Sequence, residues 1–278
     1  MRVKELIINY YMDKITIGYL SWKRHDIFKQ TLTSHKNNGL YDIIPPKNRL
    51  IYFQEINKTD IEIAKQFECN YIGSRENIGI MNAFIQLVEK CQTEYFIFSE
   101  NDFLLMENNN FNINKTLEDS ISLLNEYPYA QIKLSNSRNP GFLYITPSDK
   151  NTWLSNNQSD FRYKIESLSW IEEPESFYHN IKIIYKNYKW YCVNNLDQNW
   201  SNHIYMCNTK FLKDIVLPLL KYNRDTNPSL DVKYQGLEDT LCFPEKINSN
   251  IKINELIKEF KTRQIFSGGG NFFHNKVN

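Results

Sequence analysis

The chain has few of the features that mark membrane proteins, nucleic-acid-binding proteins or disulfide-rich proteins. No apolar run in it approaches the roughly 20 residues that a membrane helix needs. Its 33 basic and 32 acidic residues give a net charge of +1, which argues against bulk electrostatic binding of nucleic acid or of an anionic membrane. The five cysteines are scattered and form no CxxC pair, which excludes a zinc ribbon and a disulfide scaffold. We therefore expect no nucleic-acid partner and no membrane span.

The start of the chain and its cysteines indicate the compartment. The segment 1–14 contains only a short apolar stretch, Leu6 to Ile8, which is too short for a signal peptide. Scattered cysteines in odd number fit a reducing compartment. The sequence therefore predicts a cytoplasmic protein. It also has no internal repeat, low-complexity tract or linker, so we expect a single domain over 1–278.

The first half of the chain alternates strand-like and helix-like segments. The clearest helix lies over 80–91, where apolar residues recur at steps of three and four and form one stripe. Further helices are expected after about residue 26, after residue 59 and over 116–125. This order predicts an α/β fold with a mostly parallel central sheet, right-handed crossovers and flanking helices. The strand-like runs lie at 14–20, 50–53, 70–73, 95–98 and 131–134.

The second half of the chain is less regular. Residues from about 135 to 200 mix turn residues with several tryptophans, and we predict an irregular lobe there that contacts an acceptor. A strand is expected at 203–207. Helices are expected at about 209–222, 236–243 and 251–261.

Polar residues follow the first four predicted strands. Ligands of an open parallel sheet bind beyond the carboxyl ends of its strands, so side chains in these loops should face one crevice. Loops are commonly polar in any protein, but four such loops in register are typical of a nucleotide site. The residues are Ser21, Trp22, Lys23 and Arg24, then Gln54, Glu55 and Asn57, then Arg75, Asn77 and Gly79, and finally Glu100, Asn101 and Asp102.

Two carboxylates stand directly after the apolar strand at 95–98. Glu100 and Asp102 flank Asn101, and the apolar run Phe103 to Leu105 resumes at once. Carboxylates are costly to bury unless a cation or a donor compensates them. Mg²⁺ or Mn²⁺ takes one or two carboxylates and shares its other positions with substrate phosphates. The alternative is an ordinary turn, since Asn and Asp are common turn formers.

Three segments, 15–31, 51–67 and 77–102, together resemble the nucleotide-sugar domain of GT-A fold glycosyltransferases, especially the inverting, family-2-like group. Glu100-Asn101-Asp102 stands where that family has its D-x-D motif, with Glu replacing the first Asp. The resemblance implies that Asp102 binds Mn²⁺ or Mg²⁺ and that Glu100 and Asn101 face the donor, Glu100 toward its ribose.

Other short matches imply the rest of a donor site. Glu55 occupies the position of the acid that recognises the nucleobase, and Arg75 stands near a basic residue that contacts the nucleotide. Asn77 opens a segment similar to the N-x-G motif of the family. We assign Leu20 and Trp22, at the end of the first strand, to the same donor site. UDP is the commonest donor nucleotide in such enzymes, so a UDP-sugar is the expected donor.

The second half supplies two further matches. Glu238 and Asp239 resemble an x-E-D motif at a helix start, and the resemblance implies that both are catalytic, with Asp239 as the base. An acid in the first turn also suits the helix dipole, so a plain cap is the alternative. The segment from Ser267 to His274 resembles a flexible segment whose histidine completes the metal site. Its three glycines would let the backbone approach a diphosphate.

The implied protein is a metal-dependent inverting glycosyltransferase of the hexosyltransferase type with a carbohydrate acceptor. The donor half would span about 14–106, and the acceptor and catalytic half about 107–278. A sugar nucleotidyltransferase is an alternative, although it would want a glycine-rich loop after the first strand, where Ser21 to His25 has no glycine. A non-catalytic sugar- or protein-binding descendant is a third possibility, which Glu100 permits. An oligomer is possible, but nothing in the sequence indicates one.

Overall fold

The fold is an α/β sheet with helices on both faces, seen in a computed structural model of the chain. No helix in the described part of the chain combines the length and the apolar character that crossing a bilayer requires. The structure describes residues 13–106, 111–135, 181–194, 200, 202–226, 237–242, 244, 247 and 250–274.

The elements follow one another in the predicted alternation. The strands are β1 (Ile15–Ser21), β2 (Arg49–Phe53), β3 (Asn70–Gly73), β4 (Tyr95–Glu100), β5 (Phe103–Leu105), β6 (Gln131–Lys133), β7 (Lys182–Tyr185), β8 (Lys189–Asn194), β9 (Tyr205–Asn208), β10 (Gln264–Ser267) and β11 (Phe272–His274). The helices are α1 (His25–Asn37), α2 (Leu40–Ile43), α3 (Lys58–Gln66), α4 (Gly79–Lys90), α5 (Ile113–Glu126), α6 (209–226, with a π-helical part at Leu212–Val216), α7 (Leu237–Cys242) and α8 (Ile251–Phe260).

Nine of the described strands form one sheet in the order β3-β2-β1-β4-β9-β6-β10-β8-β7. β1 pairs in parallel with both β2 and β4, and β3 continues the parallel part beyond β2. β9 lies antiparallel between β4 and β6, and β8 is antiparallel to both its neighbours, so these two strands run against the other seven. The prediction of a mostly parallel sheet is confirmed.

Two apolar layers sandwich the sheet. Each residue of β1 is buried, as its β-branched and aromatic composition predicts for a strand covered on both faces. One layer packs α1, α2, α3 and α5 against the face that carries Ile17 and Tyr19. The other packs α4, α6, α7 and α8 against the face that carries Leu20. Gly18 makes room on that second face, because a Cβ there would meet the Phe96 ring at 2.4 Å.

Several local predictions differ from the structure. The predicted irregular lobe at 135–200 contains two regular strands, β7 and β8, which form a hairpin at the sheet edge, while 136–180 lies outside the described residues. Helix α3 begins at Lys58, slightly before the predicted start after residue 59, because the side chain of Asn57 caps it by accepting from the amides of Thr59 and Asp60. Helix α6 continues to residue 226, beyond its predicted end near 222, and the side chain of Asn208 caps its start by accepting from the amide of Lys210.

A buried histidine lies between α1 and the sheet. Its Nδ1 is 2.8 Å from the hydroxyl of Tyr19, and its Nε2 is 2.8 Å from the carbonyl oxygen of Phe103. Burial lowers the pKa of His35 to about 4, although the hydrogen bond to Phe103 acts in the opposite direction. His35 is therefore neutral in the folded protein at neutral pH.

We predict that His35 makes folding stability depend on pH in the acidic range. An unfolded histidine has a pKa near 6.5, so between about pH 6.5 and 4 the unfolded state binds more protons than the folded state. The contribution is fully present above pH 6.5 and falls by about 3 kcal/mol as the pH drops to 4. Urea unfolding of the wild type and of His35→Gln across this range measures it. Parallel pH profiles for the two proteins would contradict the prediction.

Candidate functional site

The loops after β1, β2 and β4 meet at the edge of the sheet where these strands end, which we call the carboxyl edge. Lys23 lies 3.1 Å from Glu55 (Nζ to Oε2), which joins the first loop to the second. Arg24 lies 3.5 Å from Asp102 (NH1 to Oδ2), which joins the first loop to the fourth. Each of two predicted ligand-binding acids, Glu55 and Asp102, thus forms an ion pair with one of two consecutive basic residues. The predicted convergence of these loops is confirmed.

The loop after β3 is held at the same edge by a buried glutamine. Gln54 Oε1 accepts from the amide of Ile78 at 2.8 Å, and its Nε2 donates to the carbonyl of Gly79 at 3.0 Å. The amide of Gly79 in turn donates to Asn77 Oδ1 at 2.9 Å. The side-chain oxygen of Asn77 therefore accepts a hydrogen bond from the first residue of α4. Gln54 fixes the first turn of that helix against the end of β2.

The backbone at this edge adopts a conformation that non-glycine residues rarely take. Lys23, Arg24 and Glu55 have φ angles of 56°, 51° and 53°. Of the described residues, one other non-glycine has a positive φ, namely Glu68. Residues in this left-handed region carry backbone strain, and such strain clusters at ligand sites. The strained positions here coincide with the two ion pairs.

Three predicted donor-site residues differ widely in exposure. Leu20 is buried and lies in register between Tyr52 and Glu100, so it forms part of the core beneath the edge. Trp22 is 45% exposed, and Lys23 Nζ lies 4.8 Å from the centroid of its ring. Arg75 is exposed and makes no ion pair within the described part of the chain. Trp22 and Arg75 are therefore accessible to a ligand.

The acidic motif forms a turn whose second acid is buried. β4 ends at Glu100, which is half-buried, and β5 begins at Phe103. The carbonyl of Asn101 accepts a hydrogen bond from Thr31 Oγ1 at 3.0 Å. Asp102 is 6% exposed. The motif is therefore a turn, as one of the two predictions has it, and the carboxylate of Asp102 within it is buried.

The strand that carries His274 lies beside this turn. β11 pairs antiparallel with β5, and the Cα partner of His274 is Phe103, the residue directly after Asp102. Opposite residues in such a pair have Cα atoms about 4.5–5.5 Å apart. The backbone of His274 is thus adjacent to the acidic motif, while its side chain lies outside the described part of the structure.

The glycines that precede β11 are used for internal packing. A Cβ on Gly269 would meet the Trp190 ring at 2.2 Å, and one on Gly270 would meet the carbonyl oxygen of Leu134 at 1.9 Å. Thr116 Oγ1 also donates to the carbonyl of Gly269 at 2.9 Å. The expectation that this run lies open to a diphosphate is wrong at these two positions, because neighbouring protein atoms fill the space.

Helix α7, which contains Glu238 and Asp239, packs beside the first turn of α4. Thr240 Oγ1 lies 4.0 Å from Met81 Sδ and accepts from Asn223 Nδ2 at 2.9 Å. Since Gln54 fixes the start of α4 at the carboxyl edge, the backbone of α7 lies near that edge. The side chains of Glu238 and Asp239 lie outside the described residues.

Among the described side chains, no group of three or more His, Cys, Asp and Glu residues could hold a metal ion. The described candidates are the carboxylates of Asp102 and Glu100 at the β4–β5 turn. One or two carboxylates with substrate phosphates suffice for Mg²⁺ or Mn²⁺. The donor set at this turn therefore fits such a cation, provided that a phosphate ligand completes it.

Sequence reasoning missed the residues that organise the edge. The sequence shows Gln54 only as one polar loop residue among several, and the predicted site does not include His35. A signal for His35 exists in the sequence: Thr31, Ser34, His35 and Asn38 recur at helical spacing and form a polar stripe on α1. A buried polar stripe predicts hydrogen-bond partners on a neighbouring element.

Solved structures share this fold. TarS from S. aureus matches with a TM-score of 0.51 at 10% identity, over 95% of this chain and 37% of that chain. TarS 1-349 in complex with UDP-GlcNAc matches with a TM-score of 0.50 at 12% identity, over 95% and 59%. A mannose-1-phosphate geranyltransferase from Thermus thermophilus gives 0.48 at 10% identity, over 94% and 76%.

No family model and no curated protein matches the sequence. At identities of 10–12% the structural likeness concerns the fold. The large, mostly parallel sheet with flanking helices matches the fold of the TarS structures, so the predicted fold class, an α/β sheet of the GT-A kind, is confirmed.

We predict that Gln54→Leu destabilises the protein by about 2 to 4 kcal/mol, because the amide of Ile78 and the carbonyl of Gly79 lose their shared partner. Urea unfolding measures the loss. Gln92→Leu is the control, since Gln92 is exposed and its amide makes one long contact of 3.5 Å with the Lys90 carbonyl. The control should stay within about 0.5 kcal/mol of the wild type. Equal losses in the two variants would refute the bracing role of Gln54.

Proposed function

We propose that the protein is a glycosyltransferase that moves a sugar from a nucleoside-diphosphate donor to a hydroxyl of a carbohydrate acceptor. One observation carries the proposal: the buried Asp102 lies at the carboxyl edge, with Glu55 reaching the same edge and the strand of His274 paired alongside. Ligands of open α/β sheets bind at this edge. The GT-A-like fold is the matching scaffold.

The donor nucleotide would lie across the ends of β1, β2 and β3. Glu55 would accept hydrogen bonds from the base, and Arg75 is an exposed cation for a phosphate. Asn77 stands at the start of α4, where the amides of Ile78 and Gly79 already have acceptors and the later amides of the first turn favour an anion. The ring of Trp22 offers an exposed apolar face, while Leu20 would support the floor of the site from the core.

The acids at the β4–β5 turn would serve the diphosphate. Asp102, with His274 from the paired strand, would hold Mn²⁺ or Mg²⁺, and Glu100 and Asn101 would contact the donor ribose. When bound, the cation supplies Lewis-acid stabilisation of the charge on the departing diphosphate. Arg24 occupies a position 3.5 Å from Asp102, so it would compete with a cation for this carboxylate or turn to the phosphates.

Asp239 would be the general base. It would take the proton from the acceptor hydroxyl as the oxygen attacks the anomeric carbon from the side opposite the diphosphate. Attack from that side in one displacement inverts the anomeric configuration. Glu238, its neighbour in the first turn of α7, would orient the acceptor. We assign the donor half to about 14–106 and the acceptor half to about 107–278.

A UDP-sugar is the donor that we propose. UDP is the commonest donor nucleotide in enzymes of this kind. One structure of TarS 1-349, which has a similar fold, is of a complex with UDP-GlcNAc. A thermal-shift screen of UDP-, GDP-, TDP- and CMP-sugars with and without Mn²⁺ tests it, because a ligand that binds only the folded state raises the melting temperature.

The competing sugar nucleotidyltransferase requires a triphosphate site after β1. The loop there has no glycine, and both of its basic residues, Lys23 and Arg24, lie on carboxylates. A donor assay separates the candidates. Slow release of nucleoside diphosphate supports a transferase, release of pyrophosphate supports the nucleotidyl enzyme, and no release supports a binding protein.

We predict that Asp102→Asn weakens Mn²⁺-dependent binding of UDP by at least about tenfold, since the amide keeps the shape but loses the charge that holds the cation. Isothermal titration calorimetry with and without Mn²⁺ measures the effect. Asp214→Asn is the matched control, because Asp214 is an exposed acid paired with Lys210 on α6. Unchanged Mn²⁺-dependent affinity in Asp102→Asn would remove this residue from the metal site.

We predict that Asp239→Asn lowers the rate of sugar transfer by about 10²- to 10⁴-fold while UDP affinity changes less than about threefold, because a general base acts on the acceptor proton. Steady-state assays and calorimetry give the two quantities. Asp225→Asn, which removes an exposed acid on α6, is the control and should keep the wild-type rate. Wild-type turnover in Asp239→Asn would assign the base elsewhere.

A further inference from the structure

One edge of the short strand β5 is bonded to side chains of a helix. β11 pairs with β5 on one side. On the other side α1 and its C-cap residue Asn38 supply the partners: Asn38 Nδ2 donates to the carbonyl of Leu105 at 2.7 Å, and Ser34 Oγ accepts from the amide of Leu105 at 3.1 Å. These polar side chains thus make the hydrogen bonds to the β5 backbone that a neighbouring strand would otherwise make. Because the acidic motif directly precedes β5, these bonds also set the position of Asp102.

His35 is the member of this stripe that contacts both β5 and β11. Its Nε2 lies 2.8 Å from the carbonyl oxygen of Phe103, the residue after Asp102. Its ring also packs edge-to-face on Phe272, with centroids 5.3 Å apart. Phe272 belongs to the strand that carries His274. One side chain therefore contacts both strands that bring the predicted metal ligands together.

The hydrogen bonds determine which ring nitrogen carries the proton. A carbonyl oxygen only accepts, so Nε2 of His35 must donate to Phe103. His35 is neutral, so Nδ1 is then an acceptor, and the hydroxyl of Tyr19 donates to it at 2.8 Å. Tyr19 is on β1, a fully buried interior strand of the sheet. The ring is thus oriented from the rigid core, and its donor is directed at the β4–β5 turn.

We propose that His35 is a positioning residue, which holds Asp102 and the strand of His274 in register by donating from Nε2 to the carbonyl of Phe103. His35 is 0% exposed, so it acts through the two strands and touches no substrate. The metal-binding consequence rests on the proposed function. The structural consequence, which is the order of residues 101–105, is independent of the proposed function.

Two uncharged substitutions separate the two ring nitrogens. In His35→Gln the side-chain amide extends as far as Nε2 and can still donate to Phe103. In His35→Asn the shorter side chain can still accept from Tyr19 but does not reach Phe103. Both variants lose the ring and its packing, so a loss of general stability affects both. An effect that appears in His35→Asn and not in His35→Gln therefore reports the loss of the hydrogen bond to Phe103.

Two measurements compare His35→Asn with His35→Gln. Amide hydrogen exchange, read by mass spectrometry, should be faster in His35→Asn than in His35→Gln at 101–105 and 272–274, with little difference at β2. Titration of Mn²⁺ with UDP present, with free Mn²⁺ read by electron paramagnetic resonance against a protein-free UDP blank, should show affinity at least about tenfold weaker for His35→Asn, and within about threefold of the wild type for His35→Gln.

A second variant keeps the test independent of the histidine. Thr31→Val removes the hydrogen bond to the carbonyl of Asn101 with little change of shape, and we expect faster exchange at 101–105. Ser120→Ala is its control, because it removes another buried helix hydroxyl, which donates to the carbonyl of Thr116 away from the turn. The control should leave 101–105 unchanged.

The outcomes distinguish the two proposals. If Asn and Gln at position 35 give the same exchange at 101–105, His35 does not position the turn, whatever the metal affinity. If the wild type binds no Mn²⁺ even with UDP present while exchange separates the two variants as expected, the positioning role stands and the proposed metal site fails. If exchange separates the variants but Mn²⁺ affinity does not, the register of β5 does not control the metal site and the inference is overturned.

Discussion

The pairing of β5 with β11 is the constraint on which the candidate site depends. β5 has three residues, too few to hold a position by strand pairing alone, yet it follows the acidic motif and lies opposite His274. Its position is fixed from both sides, by β11 and by the polar stripe of α1. Packing of Gly270 against the backbone of Leu134 anchors the segment that leads into β11. The acids and the histidine strand share one location because of these contacts.

Charge is distributed at this edge so that each buried or strained acid has a cation close by. Asp102 is buried beside Arg24, and Glu55 lies beside Lys23. An acid in such a place is costly to hold without compensation. The same arrangement leaves two cations accessible to a ligand at this edge, because the side chains of Lys23 and Arg24 are each 62% exposed. A charged ligand would exchange these ion pairs for its own.

The sequence predicted the repeating elements well and their partners less well. The apolar stripe over 80–91 and the strands at 14–20 and 95–98 are confirmed, because burial on one or both faces produces a regular pattern. The strands β5 and β11 were not predicted, because each forms by pairing with the other, which lies far away in the chain. The hairpin of β7 and β8 was missed because its turn and aromatic residues suggested irregular chain.

The sequence by itself determined the α/β class, the order of the elements and the presence of carboxylates directly after a buried strand. Each of these depends on residues that are close together in the chain. Tertiary structure alone decided that Phe103 faces His274, that Gln54 fixes the start of α4 and that His35 orients the acidic turn. Local patterns specify which face of an element is buried. They do not specify which distant residue it meets, because that depends on how all the elements pack together.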